Sequence, residues 1–131
     1  MNKTTATVIG ATAAATVLAV LAPSAAQADA IGWGGTLQYN ESHCFTRTAG
    51  SNVYQVRAEG SATRNGARFR FLRNGVVLDA TPFDTATAFA AERRTAYGNY
   101  PGPGTYEICA ANHYATSTLV NLHILFNNEF V

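Results

Sequence analysis

The chain has 131 residues, 47% of them apolar and 13% charged, and nine Lys plus Arg against eight Asp plus Glu leave a net charge of +1. That balance describes one folded domain and excludes a disordered chain, which needs low hydrophobicity and high net charge. It also removes the electrostatic basis for a nucleic-acid partner, because no basic excess is present to neutralise phosphates.

Residues 1–28 read as a secretory signal peptide. Lys3 lies in a short polar start, and an Ala- and Thr-rich apolar stretch runs from Ala6 to Ala22. Pro23-Ser24 breaks it, and Ala26-Gln27-Ala28 supplies a small-x-small cleavage site. Thr7, Gly10, Thr12 and Thr16 dilute the stretch, which is short for a membrane span of about 20 residues. Cleavage after Ala28 or after Ala30 leaves a mature chain whose eight basic residues are all Arg, a composition typical of GC-rich genomes. The mature protein is expected outside the cell, with no membrane attachment.

Residues 29–35, Asp29-Ala30-Ile31-Gly32-Trp33-Gly34-Gly35, come next. Three glycines give such a segment high conformational entropy, so a loose N-terminal arm is expected. Ile31 and Trp33 would then be free to enter a partner's groove. In the rival arrangement Trp33 folds back and plugs the open end of the domain. Residues 36–131 form that domain.

From there the apolar pattern has period two. Residues 36–40 and 44–48 read as short strands. In residues 53–59, Tyr54, Val56 and Ala58 alternate with Gln55, Arg57 and Glu59. Residues 67–72 and 76–80 flank Asn74-Gly75, the strongest short-range hairpin signal, because both turn residues need positive φ. A two-residue turn would pair Leu72 with Val77, Phe71 with Leu78, Arg70 with Asp79 and Phe69 with Ala80. Residues 85–94 alternate as a strand, although Asp84 could cap a short helix there. Residues 105–111 and 118–126 complete the set, the latter with Val120, Leu122, Ile124 and Phe126 on one side and Asn121 and His123 on the other. Seven or eight short strands with frequent turns predict an all-β, small antiparallel β-sandwich of immunoglobulin-like or jelly-roll type. The immunoglobulin signature itself does not match: Glu107 stands where the corner tyrosine should, and Trp33 precedes both cysteines.

Cys44 and Cys109 are the two cysteines, and an even pair in a small exported domain reads as one disulfide. Closing a loop of about 65 residues contributes roughly 4 kcal/mol in the chain-entropy model. A metal site built from His43, Cys44, Cys109 and His113 is the rival. It lacks the closely spaced ligand pairs of zinc sites, and neighbours such as His43 and Cys44 point to opposite faces of a strand. No metal and no cofactor are therefore expected.

Catalytic signatures are missing. The sequence has no G-x-S-x-G elbow, H-E-x-x-H, phosphate loop or dinucleotide fingerprint, and the spacing of its eight acids selects no catalytic pair. A non-catalytic protein is expected. The aromatics are more informative, since Trp33, Tyr97, Tyr100 and Tyr114 fall in polar or glycine-rich surroundings. Together with Ile31 they are the candidate partner-binding residues, because exposed Tyr and Trp anchor protein interfaces and also stack on sugars. Two function classes follow: a module that binds other secreted proteins, as an adaptor or as an inhibitor of an extracellular hydrolase, and a carbohydrate-binding domain. A planar row of aromatics on one sheet face would favour sugar; aromatics at one loop tip would favour protein.

In its signal peptide, its arm Asp29-Ala30-Ile31-Gly32-Trp33-Gly34-Gly35 and its small one-disulfide β domain, the chain resembles the small adaptor subunit of the secreted umbrella toxin particles of filamentous actinobacteria. The resemblance implies a non-catalytic linker between a lectin-like subunit and a large toxin.

Overall fold

The computed structural model describes residues 31–129; the signal segment and residues 29 and 30 lie outside them. Eight strands follow one another: β1 Gly32–Leu37, β2 Ser42–Ala49, β3 Gln55–Ala62, β4 Arg68–Arg73, β5 Val76–Ala80, β6 Ala88–Arg94, β7 Gly104–Ala111 and β8 Thr118–Asn127. A short 3-10 turn, Thr95–Tyr97, follows β6. The strands form two four-stranded antiparallel sheets in the orders β1-β8-β3-β6 and β2-β7-β4-β5. Consecutive strands thus alternate between sheets except at the β4–β5 hairpin. This is the eight-stranded jelly roll, not the seven-stranded immunoglobulin partition. Among the described residues no helix is long and apolar enough to cross a membrane.

Period-two patterning builds the core. Val56 and Ala58 of β3, Phe69 and Phe71 of β4, Tyr106, Ile108 and Ala110 of β7, and Val120, Leu122 and Ile124 of β8 are fully buried between the sheets. Each large apolar side chain buried there contributes about 2 kcal/mol. Of the segment 85–94, residues 88–94 are strand, as its alternation indicated, whereas residues 85–87 stay in the connection that precedes it. Tyr106 donates from its hydroxyl to Gly102 O at 2.5 Å, tying the loop before β7 to the core.

Cys44 and Cys109 form the expected disulfide, 65 residues apart in sequence. They oppose one another directly in the β2–β7 ladder, on the outer face of that sheet, with Cys44 exposed. The staple therefore joins neighbouring strands and does not cross the core. Glu107 lies beside the two sulfurs, but both are bonded to each other and cannot serve as thiolate ligands.

Three expectations need correction. The expected strand 36–40 ends at Leu37, and the chain reverses at Tyr39-Asn40. The described part of the glycine-rich arm, from Gly32 onward, is strand β1, paired with β8 from Gly32↔His123 to Leu37↔Thr118. Ladder hydrogen bonds and burial of Trp33 offset the entropy cost of its glycines. The indole lies against Gly35, where a Cβ would come within 2.6 Å of it. The β4–β5 hairpin has its Asn74-Gly75 turn, with φ of +48° and +82°, and pairs Leu72 with Val77. Beyond that a bulge shifts the register, so Phe71 opposes Asp79 and Arg70 opposes Ala80. The bulge turns Leu78 toward the core and frees its carbonyl to accept from Arg93 Nη2 at 2.9 Å. Asp79 accepts instead from the Ala80 N–H. A bulge on an edge strand also discourages further strand pairing.

Candidate functional site

The connections gather at the two ends of the sandwich. One end carries the β1–β2 turn and the β3–β4, β5–β6 and β7–β8 loops. The other carries the β4–β5 turn, the β2–β3 loop and the long β6–β7 connection.

The five candidate residues do not form one patch. Ile31 is exposed at the start of β1, where its carbonyl accepts from Ile124 N. Trp33 is half-buried against the core and stacked on His43. Tyr97 is 65% exposed under the Arg94 guanidinium, which sits 4.5 Å from its ring centre. Tyr100 packs on the core and stacks on Tyr106, and burial pushes both phenols above the usual tyrosine range. Tyr114 stands half-exposed at the opposite end, in the β7–β8 loop. Among the described residues no planar row of aromatics lies on either sheet face.

Tyr114 has a companion that sequence patterning did not single out. Tyr39, 56% exposed, occupies the β1–β2 turn next to Asn40, whose φ of +64° marks the reversal. The turn cuts short the expected strand 36–40, because Asn tolerates this conformation. The turn closes on itself, with Glu41 N donating to Gln38 O and Gln38 N to Glu41 Oε1.

Asn112 joins the two tyrosine-bearing loops. It is buried to 1% exposure, and its amide nitrogen donates to Leu37 O at 3.0 Å and Thr116 O at 2.9 Å. Its amide oxygen accepts from Tyr114 N. Its backbone accepts from Asn40 N and donates to Glu41 O. Buried polar groups that are fully hydrogen-bonded rigidify their surroundings. Tyr39 and Tyr114 are thus presented from a single braced base.

The neighbouring loops are braced as well. Thr63 Oγ1 accepts from Leu119 N, and Asn65 donates from its amide to Ser117 O. Gly66, at φ +73°, lets the β3–β4 loop press against Thr85, whose backbone would lie 2.4 Å from a Cβ. The β5–β6 loop carries Phe83, 57% exposed, and is held by Thr81, which donates to Phe83 O, and by the Arg68–Asp84 ion pair. Tyr39, Phe83 and Tyr114 therefore decorate one rigid end. Such an end has the residue types and the preorganisation of a protein-binding surface.

No protein-family model matches the sequence, and no curated protein does. Among solved structures, the chain is similar to PliG of Aeromonas hydrophila, a periplasmic lysozyme inhibitor of g-type lysozyme, at 13% identity with a TM-score of 0.50; the likeness covers 73% of this chain and 84% of that one. It is also similar to a de novo designed double-stranded beta-helix, at 14% identity and a TM-score of 0.45, over 72% of this chain and 97% of that one. A third is the carbohydrate-binding module CBM36, solved with calcium and xylotriose, at 17% identity and a TM-score of 0.40, over 72% and 88%. At these identities the likeness is one of fold.

Proposed function

We propose that this chain is a secreted, non-catalytic protein-binding domain whose loop end, carrying Tyr39 and Tyr114, engages another extracellular protein. The observation that carries the proposal is Asn112, one buried amide that braces both tyrosine loops and so removes much of the ordering cost of binding. A tyrosine that becomes fully buried at the centre of an interface contributes about 2 kcal/mol or more. The disulfide supports an oxidising destination. The fold shared with PliG makes an extracellular hydrolase a partner class worth testing first. The umbrella-particle resemblance belongs to the same proposal. As an adaptor the chain would bridge secreted proteins through these loops, because its arm from Gly32 onward is engaged as strand β1.

The test is affinity capture from the native culture medium and from a panel of g-type and other lysozymes. The wild-type protein is compared with Tyr39→Ala/Tyr114→Ala and with Tyr97→Ala as a control. A protein held by wild type and by Tyr97→Ala, and lost from the double variant, supports the proposal. A partner held equally by all three places the interface elsewhere and overturns it.

A further inference from the structure

The outer face of the β1-β8-β3-β6 sheet divides into two halves of different character. Toward the end that carries the β2–β3 loop, the polar groups are matched with one another. Arg57 pairs with Glu59 at 2.6 Å and with Glu92 at 3.2 Å. Gln55 and Arg94 both donate to Glu92, and Asn127 donates to Gln55 at 3.2 Å. Toward the other end two rows cross all four strands: Gly32–His123–Glu59–Ala90 and Gly34–Asn121–Ser61–Ala88. Here Ser61, Asn121 and His123 have no side-chain hydrogen bond to any described residue, and Glu59 has one oxygen uncommitted.

The flanks of these rows keep that polar centre accessible. Ala88 and Ala90 present only methyl groups on one side. On the other, a Cβ on Gly32 would meet the His123 ring at 2.5 Å, and one on Gly34 would meet Asn121 Oδ1 at 2.7 Å. The absent side chains of β1 are what let the imidazole and the amide lie over the edge strand. A shallow trough of about 330 Å³ results, lined by Glu59, Ser61, Phe89, Ala90, Asn121 and His123. Its size is at the lower end of small-ligand sites.

We propose that this trough is a second binding site, distinct from the tyrosine loops, and that it takes a neutral, hydroxyl-rich ligand, a short glycan. Its carboxylate, amide, imidazole and hydroxyl offer both donors and acceptors, the complement that sugar hydroxyls need. Glu59 disfavours an anion, and its charge is already countered by Arg57. An apolar ligand would strand four polar groups without partners. An extended peptide gains most from the backbone of a sheet edge, and this trough lies on a face.

The oxidised protein, labelled with nitrogen-15, is titrated with chitotetraose, cellotetraose and xylotetraose and followed by amide chemical shifts. Saturable shifts at Ser61, Ala90, Asn121 and His123 are expected with at least one of them. Asn121→Ala/His123→Ala, both surface truncations, should weaken that binding by about tenfold or more, whereas Tyr39→Ala/Tyr114→Ala should leave it unchanged. No saturable shift up to about 10 mM with any of the three overturns the proposal. So does binding that the trough variant leaves intact, or that maps to the tyrosine loops. The protein-capture result is independent of each of these outcomes.

Discussion

Trp33 and His43 stack with ring centroids 3.8 Å apart and planes 18° from parallel, one from β1 and the other from β2. Each belongs to the edge strand of a different sheet, so the pair closes one side of the sandwich. On the opposite side Arg93 of β6 reaches across to the Leu78 carbonyl of β5. Both lateral gaps are closed by side chains of edge strands.

The stack makes stability depend on pH. Burial lowers the His43 pKa below its ordinary value of 6.5. The unfolded chain therefore takes up a proton near pH 6.5 that the folded chain refuses until lower pH. Stability is complete above about pH 6.5 and declines as pH falls toward the folded pKa, with a slope of at most about 1.4 kcal/mol per pH unit for one group. Thermal melts from pH 7.5 to 5 should show this decline, and His43→Phe should flatten it relative to wild type. Trp33, the sole tryptophan of the sequence, reports the same event directly. Its fluorescence should change as the imidazole titrates in the wild type and stay constant in the variant.

Asn112→Ala is expected to destabilise by about 3 kcal/mol, since it strands the carbonyls of Leu37 and Thr116. Urea unfolding measures the loss. The variant should also weaken partner capture at temperatures where it remains folded, because both tyrosine loops lose their brace. A variant as stable as wild type would remove Asn112 from its central place.

Two glycines at positive φ separate backbone strain from steric conflict. A Cβ added at Gly75 would have nothing within 4 Å, so Gly75→Val meets only the strained turn and should cost about 1 kcal/mol or more. At Gly66 a Cβ would press into the Thr85 backbone. Gly66→Ala should therefore cost clearly more than Gly75→Ala, and the ranking of the two alanine variants by midpoint of chemical denaturation checks it.

Thiol labelling of the denatured, unreduced secreted protein should find no free cysteine. The Cys44→Ser/Cys109→Ser variant should lose up to about 4 kcal/mol of stability while keeping its β-sheet circular dichroism. The bond lies outside the core, so its removal leaves the buried packing in place.

Alternation along the chain was enough to establish an all-β sandwich. In 118–126 it already sorted Val120, Leu122 and Ile124 inward and Asn121 and His123 outward, because the side-chain period of a strand is local and independent of its neighbours. The cysteine pair and the Asn74-Gly75 turn were legible for the same reason: each rests on the chemistry of one or two residues. Tertiary structure decided what depends on partners distant in sequence. The glycine-rich stretch Gly32–Gly35 lacks strand propensity and becomes strand because β8 offers it a ladder and His43 offers Trp33 a face. The hairpin register slips at Leu78, where the core takes the side chain and Arg93 takes the carbonyl. The immunoglobulin and jelly-roll alternatives are told apart by which strands pair, and no local pattern records pairing. Nor could Tyr39 be joined to Tyr114 from sequence. They meet through Asn112, whose burial and whose bonds to Leu37, Asn40 and Glu41 exist only once β1, β2 and β7 have come together around it.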